Sequence, residues 1–361
     1  MTSKILVGDV LVMLGTLEDA SVDCVVTSPP YWGLRDYQTA SWNGGDEECE
    51  HTVSHYSDNL KPHVDRPFRG DRSLCLKCGA VRVDNQLGLE PPLAEFVATM
   101  VKVFGEVARV LKPSGTVWLN LGDSYTSGGR KSYNPGVSAL HPAQQKGMAR
   151  PEVPNGLKPK DLSGAPWRVA FGLQDDGWYL RQEIIWHKPN PMPESVRDRC
   201  TKAHESIFLL AHPDSGGKYY YDADAVRERQ GNEMTAEASR SRLGSSFGGS
   251  IKTRFGIDKK DGGRSHPLGR NKRSVWTITT KPYSQAHFAT FPPELPRTCI
   301  LAGCPEGGTV LDPFAGAGTT LLVANQLQRH AIGIELNPEY AAMAEDRIYS
   351  EAPLLNQVAL G

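Results

Sequence analysis

The chain has 361 residues, 39% of them hydrophobic and 22% charged, which is ordinary for a globular protein with room for a full α/β core. The formal net charge of −1 gives no sign of a nucleic-acid partner for the whole molecule, and no apolar run approaches the length of a membrane span. The N-terminal sequence MTSKILVGDV lacks a signal-peptide pattern. Seven cysteines, an odd number, indicate a reducing compartment, so we expect a cytoplasmic protein with no membrane partner.

Two strands and a long helix are predicted in the first third of the chain. The apolar run KILV leads to Gly8-Asp9, and VDCVV leads into the sequence TSPPYW. Residues 38–90 are polar, rich in His and Cys, and show little periodicity. Apolar residues then recur at helical spacing from Leu93 to Leu111, and Pro113-Ser114-Gly115 is predicted to end this helix before the buried strand TVWLNLGD.

Strands and helices continue to alternate toward the C-terminus. APWRVAFGL is predicted as a helix, LRQEIIWHKP and ESIFLLA as strands, and the region from Thr309 onward as strand, glycine loop, helix, strand and helix. This alternation predicts an α/β fold with a doubly wound, mainly parallel sheet. We divide the chain into a core of residues 1–37, 91–211 and 275–361, a Cys/His insert of residues 38–90 and a loop-rich region of residues 212–274.

The sequence DPFAGAGTT, residues 312–320, forms a glycine loop between a strand and a helix. Gly316 and Gly318 allow the backbone to approach a ligand closely, and Glu335 follows about twenty residues later, where a carboxylate can take the hydroxyls of a ribose. The third glycine of the dinucleotide fingerprint is missing, and the chain has no phosphate-binding P-loop sequence. A cofactor with a ribose but no pyrophosphate is expected, and S-adenosylmethionine fits; the alternative is a tight turn without a ligand.

The sequence TSPPYW, residues 27–32, forms a stiff corner at the end of the second strand, which we call the Pro-Pro corner. Pro29 and Pro30 have no N–H group and fix the backbone, so carbonyl oxygens and the Ser28 hydroxyl point in a set geometry. Fixed acceptors suit an amino group as substrate, and Tyr31 offers a flat face for a planar base. The alternative is a proline-terminated turn with core aromatics.

Four Cys and His side chains in the insert have the spacing of a zinc site. Cys49-x-His51 is followed by Cys75-x-x-Cys78-Gly79, a knuckle in which the glycine lets backbone amides point at a thiolate. The segment has few apolar residues, so a structural Zn²⁺ would supply folding energy that burial does not. His55 and His63 are alternative ligands, and a set of unligated surface residues is the remaining interpretation.

Positive charge is concentrated in one segment. Residues 227–273 contain twelve Lys and Arg but five Asp and Glu, a surplus of seven positive charges in a sequence rich in Gly and Ser. The segment is either a solvated loop or a flexible surface that neutralises phosphates.

The sequence resembles the β-group DNA amino-methyltransferases, enzymes that methylate cytosine N4 or adenine N6. TSPPYW resembles their catalytic motif, DPFAGAGTT their cofactor motif, and AHFATFPPELPRTCI the segment near the methionine part of the cofactor. The catalytic motif precedes the cofactor motif, which is the permuted order of the β group. The resemblance covers most of the chain except residues 125–160 and 212–274, and it implies a Rossmann-like methyltransferase fold and a bacterial or phage-infected host.

The resemblance implies S-adenosyl-L-methionine as cofactor, double-stranded DNA as partner, and roles for the matching residues. Glu335 would bind the ribose, and Asp9 the adenine end. The catalytic residues that hold and activate the target amine would be Ser28, Pro29, Pro30 and Tyr31. The other cofactor residues would be Asp312, Phe314, Gly316, Gly318, Thr319 and Phe288. The family places its target-recognition region where the basic segment lies, and within that segment we expect Arg270, Lys272 and Arg273 to anchor phosphates. We also expect Trp32 to bind DNA.

Serine rather than aspartate at position 28 favours cytosine N4 over adenine N6 as the target, with the base flipped out of the duplex in either case. The chain has no Pro-Cys pair, which argues against cytosine-C5 chemistry. Two further alternatives are methylation of another planar amine, in RNA or in a protein glutamine, and a catalytically inactive, zinc-containing DNA-binding module. A homodimer and a cognate restriction endonuclease are left open.

Overall fold

The computed structural model of the protein describes residues 1–33, 41–46, 48–51, 74–75, 77–83, 86–88, 90, 92–126, 156–228, 268–280, 291–351 and 357–360. Six α-helices lie in these ranges: α1 Val10–Leu14, α2 Leu93–Val110, α3 Ala165–Asp175, α4 Glu294–Gly303, α5 Thr319–Gln326 and α6 Pro338–Glu351. The strands are β1 Thr2–Val7, β2 Val22–Thr27, β3 Ser41–Asn43, β4 Val81–Val83, β5 Leu111–Leu121, β6 Tyr179–His187, β7 His204–Ala211, β8 Val275–Thr277, β9 Thr309–Asp312, β10 His330–Glu335 and β11 Gln357–Leu360.

Nine of the described strands form one sheet in the order β11-β1-β10-β9-β2-β5-β7-β6-β8. All neighbouring pairs are parallel except β5–β7 and β6–β7. The carboxyl ends of β1, β2, β5, β9 and β10 therefore lie at one edge. Because β7 runs antiparallel to β5 and β6, the start of β7 and the end of β6 reach that edge too. The prediction of an α/β fold with a mainly parallel sheet is confirmed.

Helix α2 shows why the apolar spacing in its sequence predicts a buried face. Its buried residues recur every three or four positions along 18 residues: Leu93, Phe96, Met100, Val103, Phe104, Val107 and Val110. They belong to one core cluster with apolar side chains of β2 and β5. β5 is buried without interruption from Gly115 to Leu121, as expected for a strand covered on both faces.

Two boundaries differ from the prediction. α2 ends at Val110, and the backbone of Leu111 is already extended, so the helix ends before Pro113-Ser114-Gly115 and these residues lie within β5. A proline disfavours helical geometry in the residue before it, which moves the helix end upstream. β1 ends at Val7 rather than at Gly8-Asp9, since Asp9 begins the short helix α1.

The chain divides by its internal contacts into two units, of which the larger contains residues 1–220 and 274–361 and the smaller contains Tyr221–Arg273. In the larger unit, β3 and β4 form an antiparallel pair within the Cys/His insert. In the smaller unit, Glu228 and Arg270 pair as an isolated antiparallel bridge. Over the described residues, the helices are all too short or too polar to cross a membrane.

Two helical glycines provide a matched test of the packing. A Cβ atom at Gly303 in α4 would lie 2.5 Å from both Thr116 Oγ1 and Trp118 Nε1, which are buried, whereas a Cβ at Gly105 in α2 would meet no atom within 4 Å. We expect Gly303→Ala to lower the free energy of unfolding by about 1–3 kcal/mol through overpacking. Gly105→Ala should raise it by about 0.5–1 kcal/mol through helix propensity. Urea unfolding measures both, and a Gly303→Ala variant as stable as the wild type would contradict this packing.

Candidate active site

Three neighbouring strands bring the predicted site residues together at one edge of the sheet. β2 ends directly before Ser28, β9 ends at Asp312, and β10 ends at Glu335. The buried hydroxyl of Thr27 donates a hydrogen bond of 2.7 Å to Asp312 Oδ1. This bond joins the Pro-Pro corner to the first residue of the glycine loop. The open edge of an α/β sheet at its carboxyl ends is where ligands bind.

Glu335 holds the glycine loop in place. Its Oε2 accepts a hydrogen bond of 2.8 Å from the Gly316 N–H, and its Oε1 accepts one of 2.9 Å from the Asn337 N–H. Burial raises the pKa of the carboxyl group, against the lowering effect of these two bonds. Gly316 has φ +50° and a Cβ there would meet no atom within 4 Å, so the loop leaves open space beside the Glu335 carboxylate.

Asp312 and Thr319 are buried behind the loop. Asp312 is 1% exposed, and its Oδ1 also accepts a 3.1 Å hydrogen bond from the Phe314 N–H; burial raises its pKa to about 6. The Thr319 hydroxyl accepts a 2.9 Å hydrogen bond from Arg347 Nη1. Both side chains stabilise the loop from inside, and their direct contact with a cofactor stays a prediction. Gly318 has φ +71°, and a Cβ there would lie 2.8 Å from Ala344 Cβ, so α6 packs directly on the loop.

Asp9 and Phe288 are the remaining predicted cofactor residues. The Asp9 carboxylate caps α1, accepting hydrogen bonds of 3.0 and 3.3 Å from the N–H groups of Leu11 and Val12. The neighbouring Gly8 N–H donates 2.9 Å to the carbonyl oxygen of Glu335, so Asp9 follows a residue bonded to the tip of β10. Phe288 lies outside the described residues.

In the Pro-Pro corner, the Ser28 hydroxyl donates to Tyr31 Oη at 3.1 Å. Pro29 is buried, whereas Ser28, Pro30 and Tyr31 are partly exposed at the sheet edge. Gly122, which directly follows β5, backs the tyrosine ring, because a Cβ at that position would lie 2.5 Å from Tyr31 Cε2. The corner therefore holds the Ser28 hydroxyl against a ring that packs on Gly122.

Trp32 is buried in the structure, and its predicted contact with DNA stays a prediction. Trp32 is 8% exposed, belongs to the main core cluster, and its Nε1–H donates a 2.8 Å hydrogen bond to the Glu90 carbonyl oxygen. Its ring anchors the Pro-Pro corner in the core. Once the indole N–H group has a hydrogen-bond partner, burial of the large apolar ring is favourable.

Three polar residues that the sequence analysis did not identify stand behind the corner. Tyr31 Oη lies 2.8 Å from Glu205 Oε2 and 3.2 Å from Asn120 Oδ1, and Lys188 forms an ion pair with Glu205 Oε1. Asn120 interrupts the apolar run of β5, and Glu205 lies at the start of the apolar strand β7. A polar residue within or at the start of an apolar strand is the sequence feature that would identify Asn120 and Glu205.

The four predicted metal ligands cluster in the insert. The ligand atoms of Cys49, His51, Cys75 and Cys78 all lie within 4.8 Å of one another. The Cys49 and Cys75 Sγ atoms are 3.9 Å apart, and Cys78 Sγ lies 3.3 Å from His51 Nδ1. A tetrahedral zinc ion with ordinary bond lengths sets sulfurs about 3.8 Å apart and sulfur and nitrogen about 3.5 Å apart. The donor set therefore fits zinc, while the alternative ligands His55 and His63 lie outside the described residues.

Local backbone geometry shapes this cluster. Gly79 has φ +72°, and its N–H donates 2.9 Å to the Cys75 carbonyl oxygen, which closes the knuckle. Gly45 has φ +79°, and a Cβ there would lie 2.7 Å from Cys78 Sγ, so only glycine leaves room for the thiol. Burial and then the neighbouring thiols of Cys78 and Cys75 raise the pKa of Cys49 to about 12.

The predicted phosphate anchor lies at the end of the smaller unit. Arg270 and Arg273 each donate a 2.9 Å hydrogen bond from Nε to Glu228 Oε2, and both arginines are exposed. Lys272 lies between them. The basic residues between 229 and 267 lie outside the described residues. A role of this segment in DNA binding stays a prediction.

Comparison with known proteins identifies the family. A family model described as DNA methylase matches residues 22–346. The chain is 42% identical to the type II methyltransferase M.Cfr9I of Citrobacter freundii over 344 residues, which cover 95% of this chain and 87% of the relative.

Two solved structures have a similar fold. One is the PvuII DNA methyltransferase (cytosine-N4-specific), with TM-score 0.54 and 17% identity over 100% of this chain and 95% of that chain. The other is a DNA modification methylase of Thermus thermophilus complexed with S-adenosyl-L-methionine, with TM-score 0.51 and 20% identity over 99% of each chain. The resemblance noted in the sequence is confirmed: the chain belongs to the DNA methylase family, as a β-group N4/N6 DNA amino-methyltransferase.

Proposed function

We propose that the protein transfers the methyl group of S-adenosyl-L-methionine to the exocyclic N4 amine of a flipped cytosine in duplex DNA. The observation that carries this proposal is the position of Ser28. Its hydroxyl lies at the carboxyl end of β2, next to the strand that opens the glycine loop, and the Thr27–Asp312 bond couples the two. Methyl transfer to an amine needs an amine-binding site next to a cofactor-binding loop, and the Pro-Pro corner beside the glycine loop would meet this requirement.

The glycine loop fits S-adenosyl-L-methionine, which supplies a methyl group bound to a sulfonium. Each Glu335 carboxylate oxygen accepts one backbone N–H and keeps a lone pair for a ribose hydroxyl. Phe314, Gly316 and Gly318 would line the cofactor, and Asp9 would contact its adenine end. Asp312 and Thr319 would either stabilise the glycine loop from behind or contact the amino-acid part of the cofactor. Phe288 would lie near the methionine part of the cofactor.

The corner residues would activate the target amine without a covalent enzyme intermediate. The amine is a poor nucleophile because its lone pair is delocalised into the base. The Ser28 hydroxyl and the Pro29 carbonyl oxygen would accept its two N–H groups and localise that lone pair, while Tyr31 would face the base. Positioning and electrostatics would provide most of the rate enhancement.

Serine at position 28 favours cytosine N4 as the target. Adenine N6 is the alternative target, because the family also contains adenine-N6 enzymes. The cytosine-N4-specific PvuII enzyme shares the fold. The name of the relative, a type II methyltransferase, supports a role in restriction–modification. The basic segment with Arg270, Lys272 and Arg273 would bind phosphates as part of the target-recognition region. A homodimer and a partner endonuclease stay predictions.

We further propose that Cys49, His51, Cys75 and Cys78 hold a structural Zn²⁺. The sulfur and nitrogen separations of 3.9 and 3.3 Å support this, as does the glycine at position 45 that leaves room for a thiol. Four protein ligands leave no open position, so the ion would stabilise the insert and take no part in catalysis.

Removing the Glu335 carboxylate should weaken cofactor binding. Glu335→Ala loses two loop hydrogen bonds and the ribose contact, so we expect the Kd for S-adenosyl-L-methionine to rise about ten- to hundredfold by calorimetry. Glu339→Ala, which removes an exposed carboxylate in the first turn of α6, is the matched control and should bind like the wild type. Unchanged affinity in Glu335→Ala would refute the cofactor assignment.

Removing the Ser28 hydroxyl should strongly slow methyl transfer but keep cofactor binding. Transfer from labelled S-adenosyl-L-methionine to duplex DNA should fall at least about a hundredfold in Ser28→Ala. Ser21→Ala, at the opposite end of β2, removes a hydroxyl bonded to the Glu18 carbonyl oxygen and should be fully active. Mass spectrometry of digested nucleosides should find the methyl group on deoxycytidine.

Wild-type turnover in Ser28→Ala would contradict the role of the corner. A wild-type chain that binds DNA and never methylates it would favour the catalytically inactive module.

Zinc should co-purify with the chain in a one-to-one ratio. Cys78→Ser should lose the ion and unfold at lower temperature, while Cys200→Ser, which changes an exposed thiol outside the cluster, should keep both zinc and stability. Elemental analysis and thermal unfolding measure the two effects. Zinc-free protein prepared without chelators, with the stability of the wild type, would remove the metal site.

A further inference from the structure

We propose that Glu205 is a positioning residue that fixes the direction of the hydrogen-bond chain ending at Ser28. The inference rests on the proposed methylation of an amine by the Pro-Pro corner. The hydrogen-bond chain runs from Ser28 through Tyr31 to Glu205, and all three residues lie at the same edge of the sheet.

The direction of the chain follows from what each group can donate. The Tyr31 hydroxyl has two acceptors in reach, Glu205 Oε2 at 2.8 Å and Asn120 Oδ1 at 3.2 Å, and it donates to the nearer one, the carboxylate that is ion-paired with Lys188. Tyr31 has a single O–H proton, so its oxygen then accepts the proton of Ser28 across 3.1 Å. With its proton committed to Tyr31, the Ser28 oxygen presents lone pairs to the active site. Those lone pairs are what an amine N–H requires.

Lys188 and Asn120 hold the Glu205 carboxylate in place. Its side chain is 15% exposed and is ion-paired with Lys188, whose side chain is 18% exposed and whose ammonium lies 4.2 Å from the centre of the Trp186 ring. The Asn120 amide donates to Glu205 Oε2 at 3.3 Å and to the Ser206 carbonyl oxygen at 3.2 Å. Asn120 itself is 1% exposed. A carboxylate held this way behind the site orients the group that touches substrate.

This arrangement gives a serine corner the acceptor character that a carboxylate would have. A hydroxyl group can rotate about its C–O bond. If the Ser28 proton pointed at the amine, two hydrogen-bond donors would face each other. Glu205 accepts the Tyr31 proton, so the Tyr31 oxygen accepts the Ser28 proton and that orientation is disfavoured. Glutamine at position 205 keeps the shape but can offer an NH₂ group to Tyr31 Oη. The Tyr31 proton would then be shared between Asn120 Oδ1, at 3.2 Å, and Ser28, and whenever Tyr31 donates to Ser28 the Ser28 proton turns toward the amine.

The test compares Glu205→Gln with Glu183→Gln in the full-length enzyme. Glu183 lies on the adjacent strand β6, and its Oε1 accepts a 2.8 Å hydrogen bond from the Ser206 hydroxyl, outside the chain. We expect Glu205→Gln to lower kcat for DNA methylation about ten- to hundredfold, with the KM for DNA and the Kd for S-adenosyl-L-methionine within about twofold of wild type. Glu183→Gln should keep wild-type kcat.

A double-mutant cycle tests the path of the effect. Tyr31→Phe removes the middle link and should also lower kcat, and Glu205→Gln should cause no further loss in that background. This variant leaves the Glu205–Lys188 ion pair in place, so it reports on the chain even when Glu205→Gln folds poorly.

The outcomes separate the two proposals. A wild-type enzyme without any methyl transfer to DNA would refute the proposed function before the chain is tested. An active wild type with full kcat in Glu205→Gln or in Tyr31→Phe would overturn the inference. Full additivity of the two losses would overturn it as well, because Glu205 would then act by another route.

Discussion

One buried hydrogen bond, from Thr27 to Asp312, joins the two working parts of the site. Thr27 is the last residue of β2 and Asp312 the last of β9, so the bond ties the Pro-Pro corner to the glycine loop across 2.7 Å. The Asp312 carboxyl is buried, which raises its pKa to about 6, and its partners offset part of the cost of burying a charge. This link couples the position of the Pro-Pro corner to that of the glycine loop.

The rest of the sheet edge is arranged around these two strand ends. On one side, Glu335 holds Gly316 and Asn337, and α6 packs on Gly318. On the other side, the antiparallel strand β7 brings Glu205 behind Tyr31. The parallel strands β2, β9 and β10 lead into the Pro-Pro corner, the glycine loop and Glu335, and the antiparallel strand β7 places a charged residue behind the corner. The site is therefore preorganised before a ligand binds, which is where such enzymes gain rate.

The sequence predicts the parts of the site that are local. The glycine loop, Glu335 and the Pro-Pro corner each stand next to a strand end, so spacing and residue type were enough to find them. The same holds for the Cys/His cluster, where four residues converge within 4.8 Å. The helix ends at Val110, earlier than the apolar spacing predicts, because the influence of Pro113 acts upstream.

What the sequence did not predict depends on pairing between distant strands. Glu205 meets Tyr31 across 174 positions, and only the order β2-β5-β7 brings them together. Trp32 follows Tyr31 directly and yet points into the core, since the Glu90 carbonyl oxygen satisfies its N–H group. Neighbours in sequence can thus have opposite environments, and the side that faces substrate is fixed by tertiary contacts.

The most direct measurement of the central claim is to express the chain in a host that lacks DNA methylation and to sequence the modified bases. A serine corner joined to a nucleotide loop predicts N4-methylcytosine at one fixed sequence in the host DNA. N6-methyladenine in its place, or DNA without any modified base despite abundant folded protein, would contradict the account.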